Sequence, residues 1–148
     1  MTAVSSQRLF PGRTIKVHST SRVEVQVDLE FDVTLRKVFT LEDVDFSDIH
    51  ESQMSAAQHC LVVLVGGKRL LVEPPIALRE QWGRRQNLNA RVFLAEPVHG
   101  RPVGLTEELP GHRDPVLDVS VFYNSLRDSG FDVGEVKRVL NGRGGKRG

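Results

Sequence analysis

The sequence predicts an α+β fold that is mainly β, a small five-stranded barrel with about three helices. Residues 14–45 hold three runs in which apolar and polar residues alternate, which is the pattern of half-buried strands. Only short turn-forming breaks separate these runs, so they form a meander. A helical segment and a further strand follow. A curled meander closed by a helix is typical of OB-type barrels.

Length and composition limit the class of protein. The chain has 148 residues, which is enough for one domain with its own core. Charged residues make up 26% of the chain and the formal net charge is +1, so the chain as a whole is not a basic nucleic-acid binder. The single cysteine, Cys60, excludes a disulfide framework and predicts a buried, inert thiol.

The sequence indicates no contact with a membrane. No stretch of about 18 apolar residues occurs, and the first residues lack the apolar region of a signal peptide. We therefore predict a cytoplasmic protein, or a virion component if the gene belongs to a phage.

The strands are predicted from period-2 alternation and from turn residues. Residues 1–13 are polar and contain Pro11-Gly12, a turn signal, so they are predicted as a flexible leader to a domain spanning 14–141. Five strands are predicted, at about 14–19, 22–28, 31–41, 68–73 and 90–94.

Three helices are predicted from capping residues and helical periodicity. Each starts at a side chain that can accept a backbone N–H and ends near glycine. Two of the starts also have a glutamate three residues later, the capping-box spacing. The starts are Asp48, Asp118 and Asp132, the glutamates are Glu51 and Glu135, and the stops are Gly66-Gly67, Gly130 and Gly142. The inward face of the first helix is predicted to carry Met54, Ala57, Leu61, Leu64 and Val65.

Two segments are predicted to lie outside the regular elements. Residues 95–115 contain four prolines and three glycines, which is typical of a long surface loop. Residues 142–148 read GRGGKRG and are predicted to form a flexible basic tail. From 135 to 148 the chain has five basic residues and one acid, so positive charge is concentrated at this end.

Four short stretches occur in an order shared with a known family. They read LEFDVTLR, GGKRLLVEP, QWGR with ARVFL, and DVSVFYNSLRDSGF. In this order the chain resembles the thermonuclease (staphylococcal-nuclease-like) family in its short phage and bacterial form. The resemblance covers about residues 14–147. It implies a five-stranded OB-fold barrel of the staphylococcal-nuclease-like type.

The resemblance also implies where catalytic residues would lie, and the sequence departs from the family there. The family has Asp-Gly-Asp-Thr at the first hairpin turn, where the second Asp binds calcium, whereas residues 19–22 read Ser-Thr-Ser-Arg. Thr40 holds the place of a phosphate-binding arginine. Asp45 matches a metal-binding aspartate, and Asp48 stands where the family has its general-base glutamate. The second phosphate-binding arginine matches Arg84.

These departures predict that catalysis is lost. Calcium takes roughly 6–8 oxygen ligands and needs carboxylate charge, so Asp45, Asp48 and a serine hydroxyl form a poor cage. Losing one group that stabilises the developing charge typically costs orders of magnitude in rate. We therefore predict no cofactor. Calcium is expected only if the protein is an active nuclease, in which case Asp45, Asp48 and Arg84 are the catalytic residues.

Three functions are compatible with the sequence. The first is a catalytically degenerate, nuclease-like module that binds nucleic acid without sequence preference. The second is an active metal-dependent phosphodiesterase with a remodelled site. The third is a protein-interaction or structural module that joins a protein partner or a larger assembly, such as a virion, with the fold as scaffold. The nucleic-acid-binding residues of the first are Arg84, Arg85, Lys137, Arg138, Arg143, Lys146 and Arg147.

Overall fold

The computed structural model describes residues 9–29, 32–46, 48–73, 87–96, 98, 106–107 and 116–141. In these ranges the secondary structure comprises seven strands and three α-helices, with a 3₁₀ helix (Leu126–Ser129) directly after the second. The strands are β1 (Phe10–Val17), β2 (Arg22–Asp28), β3 (Thr34–Leu41), β4 (Arg69–Glu73), β5 (Asn87–Leu94), β6 (Thr106–Glu107) and β7 (Val116–Asp118). The helices are α1 (Glu51–Val65), α2 (Val119–Ser125) and α3 (Val133–Asn141).

Strands β1 to β5 close into a barrel, which confirms the predicted fold class. Their order is β3-β2-β1-β4-β5, and a parallel pairing of β3 with β5 closes the ring. The other pairings between described strands are antiparallel. Strands β7 and β6 extend the sheet beyond β5. The result is a mixed five-stranded barrel with three helices, compatible with the OB fold.

The core lies inside the barrel and under α1. Strand β2 directs Val23, Val25 and Val27 inward, as its alternation predicts, and all three are buried. Helix α1 covers the core with its buried face, which includes Cys60. The Cys60 thiol donates to the carbonyl of Phe131 at 3.2 Å. Burial raises the pKa of Cys60 to about 11, so the predicted buried, unreactive thiol fits its environment.

The first strand begins earlier than predicted. Strand β1 starts at Phe10, so residues 10–13 belong to the sheet and not to the leader, and Pro11-Gly12 is not a turn. Gly12 is required for another reason. A Cβ there would lie 2.8 Å from the carbonyl oxygen of Gln26 on β2. The glycine therefore marks a close approach of two strands, a use of glycine that local sequence does not separate from a turn.

Two predictions about α1 are corrected. Helix α1 is capped by His50, whose Nδ1 accepts the N–H of Ser52 at 3.1 Å, and not by Asp48. Met54 lies outside the core, with 39% of its surface exposed. For α2 the prediction is confirmed, because Asp118 accepts the N–H groups of residues 120 and 121 at 3.1 and 3.3 Å.

The last helix starts as predicted but without a complete capping box. Asp132 accepts the N–H of Gly134 at 2.9 Å, whereas Glu135 contacts Arg138 at 3.1 Å. Gly130 ends the preceding 3₁₀ helix in the left-handed conformation with φ of 75°, which a glycine adopts without strain.

The middle of the chain holds more strand than predicted. Strand β5 starts at Asn87, three residues before the predicted start at 90, whereas the earlier strand β3 is shorter than predicted and begins at Thr34 instead of 31. Strand β6 lies inside the segment 95–115, which was predicted to be loop throughout.

The predicted leader up to residue 8 and the tail 142–148 lie outside the described residues. None of the described helices combines the length and the apolar character needed to cross a membrane.

Candidate nucleic-acid interface

The turn between β1 and β2 is the place where the resemblance implies a calcium-binding aspartate, which this chain lacks. Here its backbone is tied to two other elements. The carbonyl of Ser21 accepts the N–H of Leu41 at 2.8 Å. The carbonyl of Thr20 accepts the hydroxyl of Tyr123 at 2.6 Å. The turn is therefore held between β3 and α2 by hydrogen bonds that use its main-chain oxygens.

The acidic segment 42–48 follows β3 and is held by α2 and the 3₁₀ helix. The amide nitrogen of Asn124 donates to the carbonyl of Asp43 at 2.9 Å. Arg127 donates to the carbonyl of Asp45, also at 2.9 Å. Beneath them the ring of Phe46 packs edge-on against Tyr123, with 4.8 Å between centroids. These contacts position the segment from the side of the C-terminal helices.

Asp48 is engaged by an arginine. The guanidinium of Arg127 contacts both carboxylate oxygens of Asp48, at 3.2 and 3.4 Å, and lies 5.1 Å from the centre of the Phe46 ring. A guanidinium at this position repels a divalent cation, and Ser21 offers a hydroxyl and no carboxylate at the turn. The donor set of Ser21, Asp45 and Asp48 therefore does not fit calcium. In the described part of the chain, no three His, Cys, Asp or Glu side chains are grouped closely enough to hold a metal ion.

A cation lies beside Thr40, the residue at which the resemblance implies a phosphate-binding arginine. Thr40 on β3 lies opposite Arg22 on β2, which is exposed. Arg36 lies on the same outer face of β3, nearer the start of the strand, and its Nε is 3.6 Å from the carboxylate of Glu24. Lys37 is 8% exposed and belongs to the inward side of β3. Arg22 is thus the cation closest in register to the position that Thr40 occupies.

A cleft of about 290 Å³ opens beside the acidic segment. Inside it, Arg91 of β5 contacts Asp118 at 2.8 Å and Glu73 at 3.6 Å. The same guanidinium lies 4.9 Å from the centre of the Phe93 ring. Two carboxylates therefore balance the charge of Arg91. The cleft is lined by Glu42, Asp43, Arg91, Asp118, Ser120, Val121 and Asn124.

The charge of this cleft does not suit a phosphate. Its lining has three carboxylates and one guanidinium, and that guanidinium is already paired with one of the carboxylates. An anion entering here meets unbalanced negative charge. The buried hydroxyl of Ser120 has no hydrogen-bond partner among the described residues, but a lone hydroxyl does not outweigh two carboxylates. The cleft is therefore not suited to hold a phosphate group.

Two of the predicted phosphate-binding residues lie on α3. Lys137 and Arg138 are exposed, while Val136 and Val139 are buried, so the helix turns its basic side to solvent. Arg138 pairs with Glu135 one turn earlier. The remaining predicted residues lie outside the described residues, namely Arg84, Arg85, Arg143, Lys146 and Arg147.

Sequence reasoning missed the residues that hold the acidic segment. Asn124 and Arg127 contact residues that are 79 to 82 positions away in the chain. No local pattern signals contacts at that distance. Asp118 was identified as a helix cap, but its second role, binding Arg91, depends on β5 lying beside it.

Comparison with known proteins identifies no relative. No known protein family, curated protein or solved structure matches this chain.

Proposed function

We propose that this protein is a catalytically degenerate, nuclease-like OB module that binds nucleic acid without sequence preference through basic residues. The observation that carries the proposal is the exposed basic side of α3. Lys137 and Arg138 face solvent there, and Arg143, Lys146 and Arg147 follow in the sequence. Clustered cations of this kind contact phosphates, which carry no base information.

The resemblance to the thermonuclease family supports a nucleic-acid partner. GGKRLLVEP begins directly after α1 and contains strand β4, and DVSVFYNSLRDSGF contains α2 with its 3₁₀ continuation. These are a helix before a strand and a late helical pair, as in the family. The barrel topology is compatible with the OB fold, and such barrels often bind oligonucleotides.

The contacts of the acidic segment support the loss of catalysis. Arg127 neutralises Asp48, the residue at the general-base position. A serine and a threonine, Ser21 and Thr40, replace a metal ligand and a phosphate clamp. Because hydrolysis of a phosphodiester depends on preorganised positive charge at the reacting phosphate, these three changes together favour binding over cleavage.

Fluorescence anisotropy tests the proposal with labelled single- and double-stranded oligonucleotides over a salt series. Affinity should fall with a log–log slope near −0.7 per phosphate contacted for single strands and −0.9 for duplexes, and unrelated sequences should bind alike. Replacing Arg143, Lys146 and Arg147 by serine keeps the chain length and should flatten the slope by roughly 2 to 3. Arg84→Ala should weaken binding without unfolding the domain.

Two outcomes would overturn parts of the proposal. If nothing binds at low salt, nucleic acid is the wrong partner, and the protein-interaction alternative takes its place. If calcium-dependent nicking of plasmid DNA occurs and Asp45→Ala abolishes it, the protein is an active nuclease. Calcium titration by calorimetry adds an independent measurement, since a sub-millimolar site lost in Asp45→Ala contradicts the donor-set argument.

A further inference from the structure

Three arginines lie in one line of cross-strand pairs on the outer surface of the barrel. Arg69 of β4 pairs with Arg13 of β1, Arg13 pairs with Gln26 of β2, and Gln26 pairs with Arg36 of β3. All four side chains are exposed, and their sequence neighbours on the inward side are buried or packed against the core. We call these four residues the arginine row. Because neighbouring strands lie about 4.8 Å apart, the row extends roughly 15 Å across the strands.

The arrangement is unfavourable for the protein by itself. Arg13 and Arg69 are direct cross-strand partners, and like charges at such positions destabilise a sheet. Arg13 relieves part of this by donating to the carbonyl of Gly67 at 2.7 Å. An anion bridging the two guanidiniums would remove the repulsion.

The ion pairs at the two ends of the row are weak. The Nε of Arg69 lies 3.8 Å from Glu96, and the Nε of Arg36 lies 3.6 Å from Glu24. The arginine side chains are 59% and 63% exposed, and exposed pairs with this spacing contribute little. Glu24 is also shared with His18, at 2.7 Å. The guanidinium groups are therefore able to exchange these carboxylates for a stronger anion.

The surface around the row is also positive. Lys16 lies opposite Glu24, and Arg22 lies opposite Thr40 on the same face. With Arg69 and its partner Glu96 included, the outer face of β1 to β3 carries five cations and three carboxylates, whereas on β4, β5 and β7 this face adds Arg91, which is paired with Glu73 and Asp118. The cations are Arg13, Lys16, Arg22, Arg36 and Arg69, and the carboxylates are Glu24, Asp28 and Glu96.

We propose that the arginine row binds the phosphodiester backbone of nucleic acid, with the backbone running across the strands. The proposal rests on the proposed function, but it places a contact on the strands of the barrel and not on α3. Guanidinium groups match phosphate with two parallel hydrogen bonds. Gln26, between Arg13 and Arg36, adds an amide that can bond to sugar or phosphate oxygens.

The test uses the full chain with Arg13, Arg36 and Arg69 each replaced by glutamine. Anisotropy is measured with an oligothymidine and with a duplex of equal length over a salt series. Three lost contacts lower the slope for the single strand by roughly 2. Between about 50 and about 200 mM salt, the unmodified protein then loses about 20-fold more affinity than the variant. A larger change for the duplex than for the single strand would identify double-stranded nucleic acid as the source of the backbone.

Two controls separate charge from structure. The pair Lys137→Gln and Arg138→Gln removes cations from α3 and leaves the row intact. Replacing the three row arginines by lysine keeps the charge, so it should restore the salt slope while affinity stays below that of the unmodified protein, because lysine lacks the planar fork. The glutamine variant should melt at the same or a higher temperature, since it removes the like-charge pair.

The outcomes distinguish this proposal from the proposed function. If the unmodified protein binds and the glutamine variant keeps its slope, the row is wrong and the proposed function stands. If neither oligonucleotide binds at low salt, both are wrong. If the row variant flattens the slope and the α3 variant does not, the row carries the interaction. Arginine-dependent binding to anionic lipid vesicles without binding to either oligonucleotide would also overturn the proposal.

Discussion

Replacing Tyr123 by phenylalanine is expected to destabilise the protein while leaving the shape of its core unchanged. Tyr123 is 0% exposed, and its hydroxyl donates to the carbonyls of Thr20 at 2.6 Å and Ala57 at 3.2 Å. Its ring packs edge-on against Phe46 and Phe131, with 4.8 and 6.3 Å between centroids. Because phenylalanine keeps the ring contacts, the substitution isolates the contribution of the hydroxyl.

The size of the loss in stability depends on the carbonyl groups that no longer receive a hydrogen bond from the hydroxyl. Without it, the part-buried carbonyl of Thr20 loses this donor, whereas Ala57 lies in α1, where a carbonyl also accepts from the helix. A buried acceptor without a partner costs about 1–3 kcal/mol, so we expect a loss of about 2 kcal/mol. For a chain of this size that loss lowers Tm by about 4–8 °C.

The same substitution should change the stability at high pH. Burial raises the pKa of the Tyr123 phenol above its ordinary value, with a smaller contribution from Cys60. The phenol therefore ionises more readily in the unfolded chain. Its contribution to stability is complete below about pH 10 and is lost as the pH rises above that value. The difference in stability between the unmodified protein and Tyr123→Phe should accordingly shrink above about pH 10.

Urea and thermal unfolding, followed by circular dichroism from neutral to alkaline pH, measure both effects. Tyr123 is the single tyrosine of the chain, so its ionisation can also be followed directly by absorbance. Equal urea midpoints for the two proteins at neutral pH would refute the reasoning. An absorbance titration of the folded protein with the ordinary tyrosine pKa would refute the burial of the phenol.

Three further predictions concern other contacts. Arg127→Gln removes the ion pair with Asp48 and the hydrogen bond to the backbone of segment 42–48. Amide hydrogen exchange in 42–48 should therefore accelerate, while the free energy of unfolding of the whole protein falls by about 1 kcal/mol or less. Unchanged exchange would contradict this. Thr14→Val removes a buried hydroxyl that lacks a partner among the described residues and should stabilise the fold by about 1 kcal/mol, whereas the exposed Thr34→Val should not. Cys60, whose pKa is raised to about 11, should react with iodoacetamide only at the rate of unfolding, and rapid alkylation of the native protein would count against its burial.

Local patterns were sufficient wherever a short stretch decides its own structure. Strand β2 was predicted with its observed bounds, because the alternation of Val23, Val25 and Val27 is complete within seven residues. The cap at Asp118 was also predicted, since its carboxylate bonds to N–H groups only two and three residues later.

The predictions failed at residues whose decisive contacts come from a distant segment of the chain. Asp48 has the spacing of a capping residue, but Arg127 engages its carboxylate from 79 residues away, and His50 caps the helix. Gly12 resembles a turn glycine, but it is the close approach of β2 that requires it. For the candidate site, the sequence led to Asp45, Asp48 and the α3 cations, and could not identify Arg127 as the residue that neutralises Asp48.

The sequence by itself determined the five barrel strands and the three helices, because each depends on a short local pattern of apolar, capping and turn residues. Only the tertiary structure decided the register of β4, β1, β2 and β3. That register brings Arg69, Arg13 and Arg36 into one row, although Arg13 and Arg69 are 56 positions apart in the sequence. Pairing between strands is set by hydrogen bonds and packing between distant segments, and a slip of one residue would turn these side chains to the opposite face.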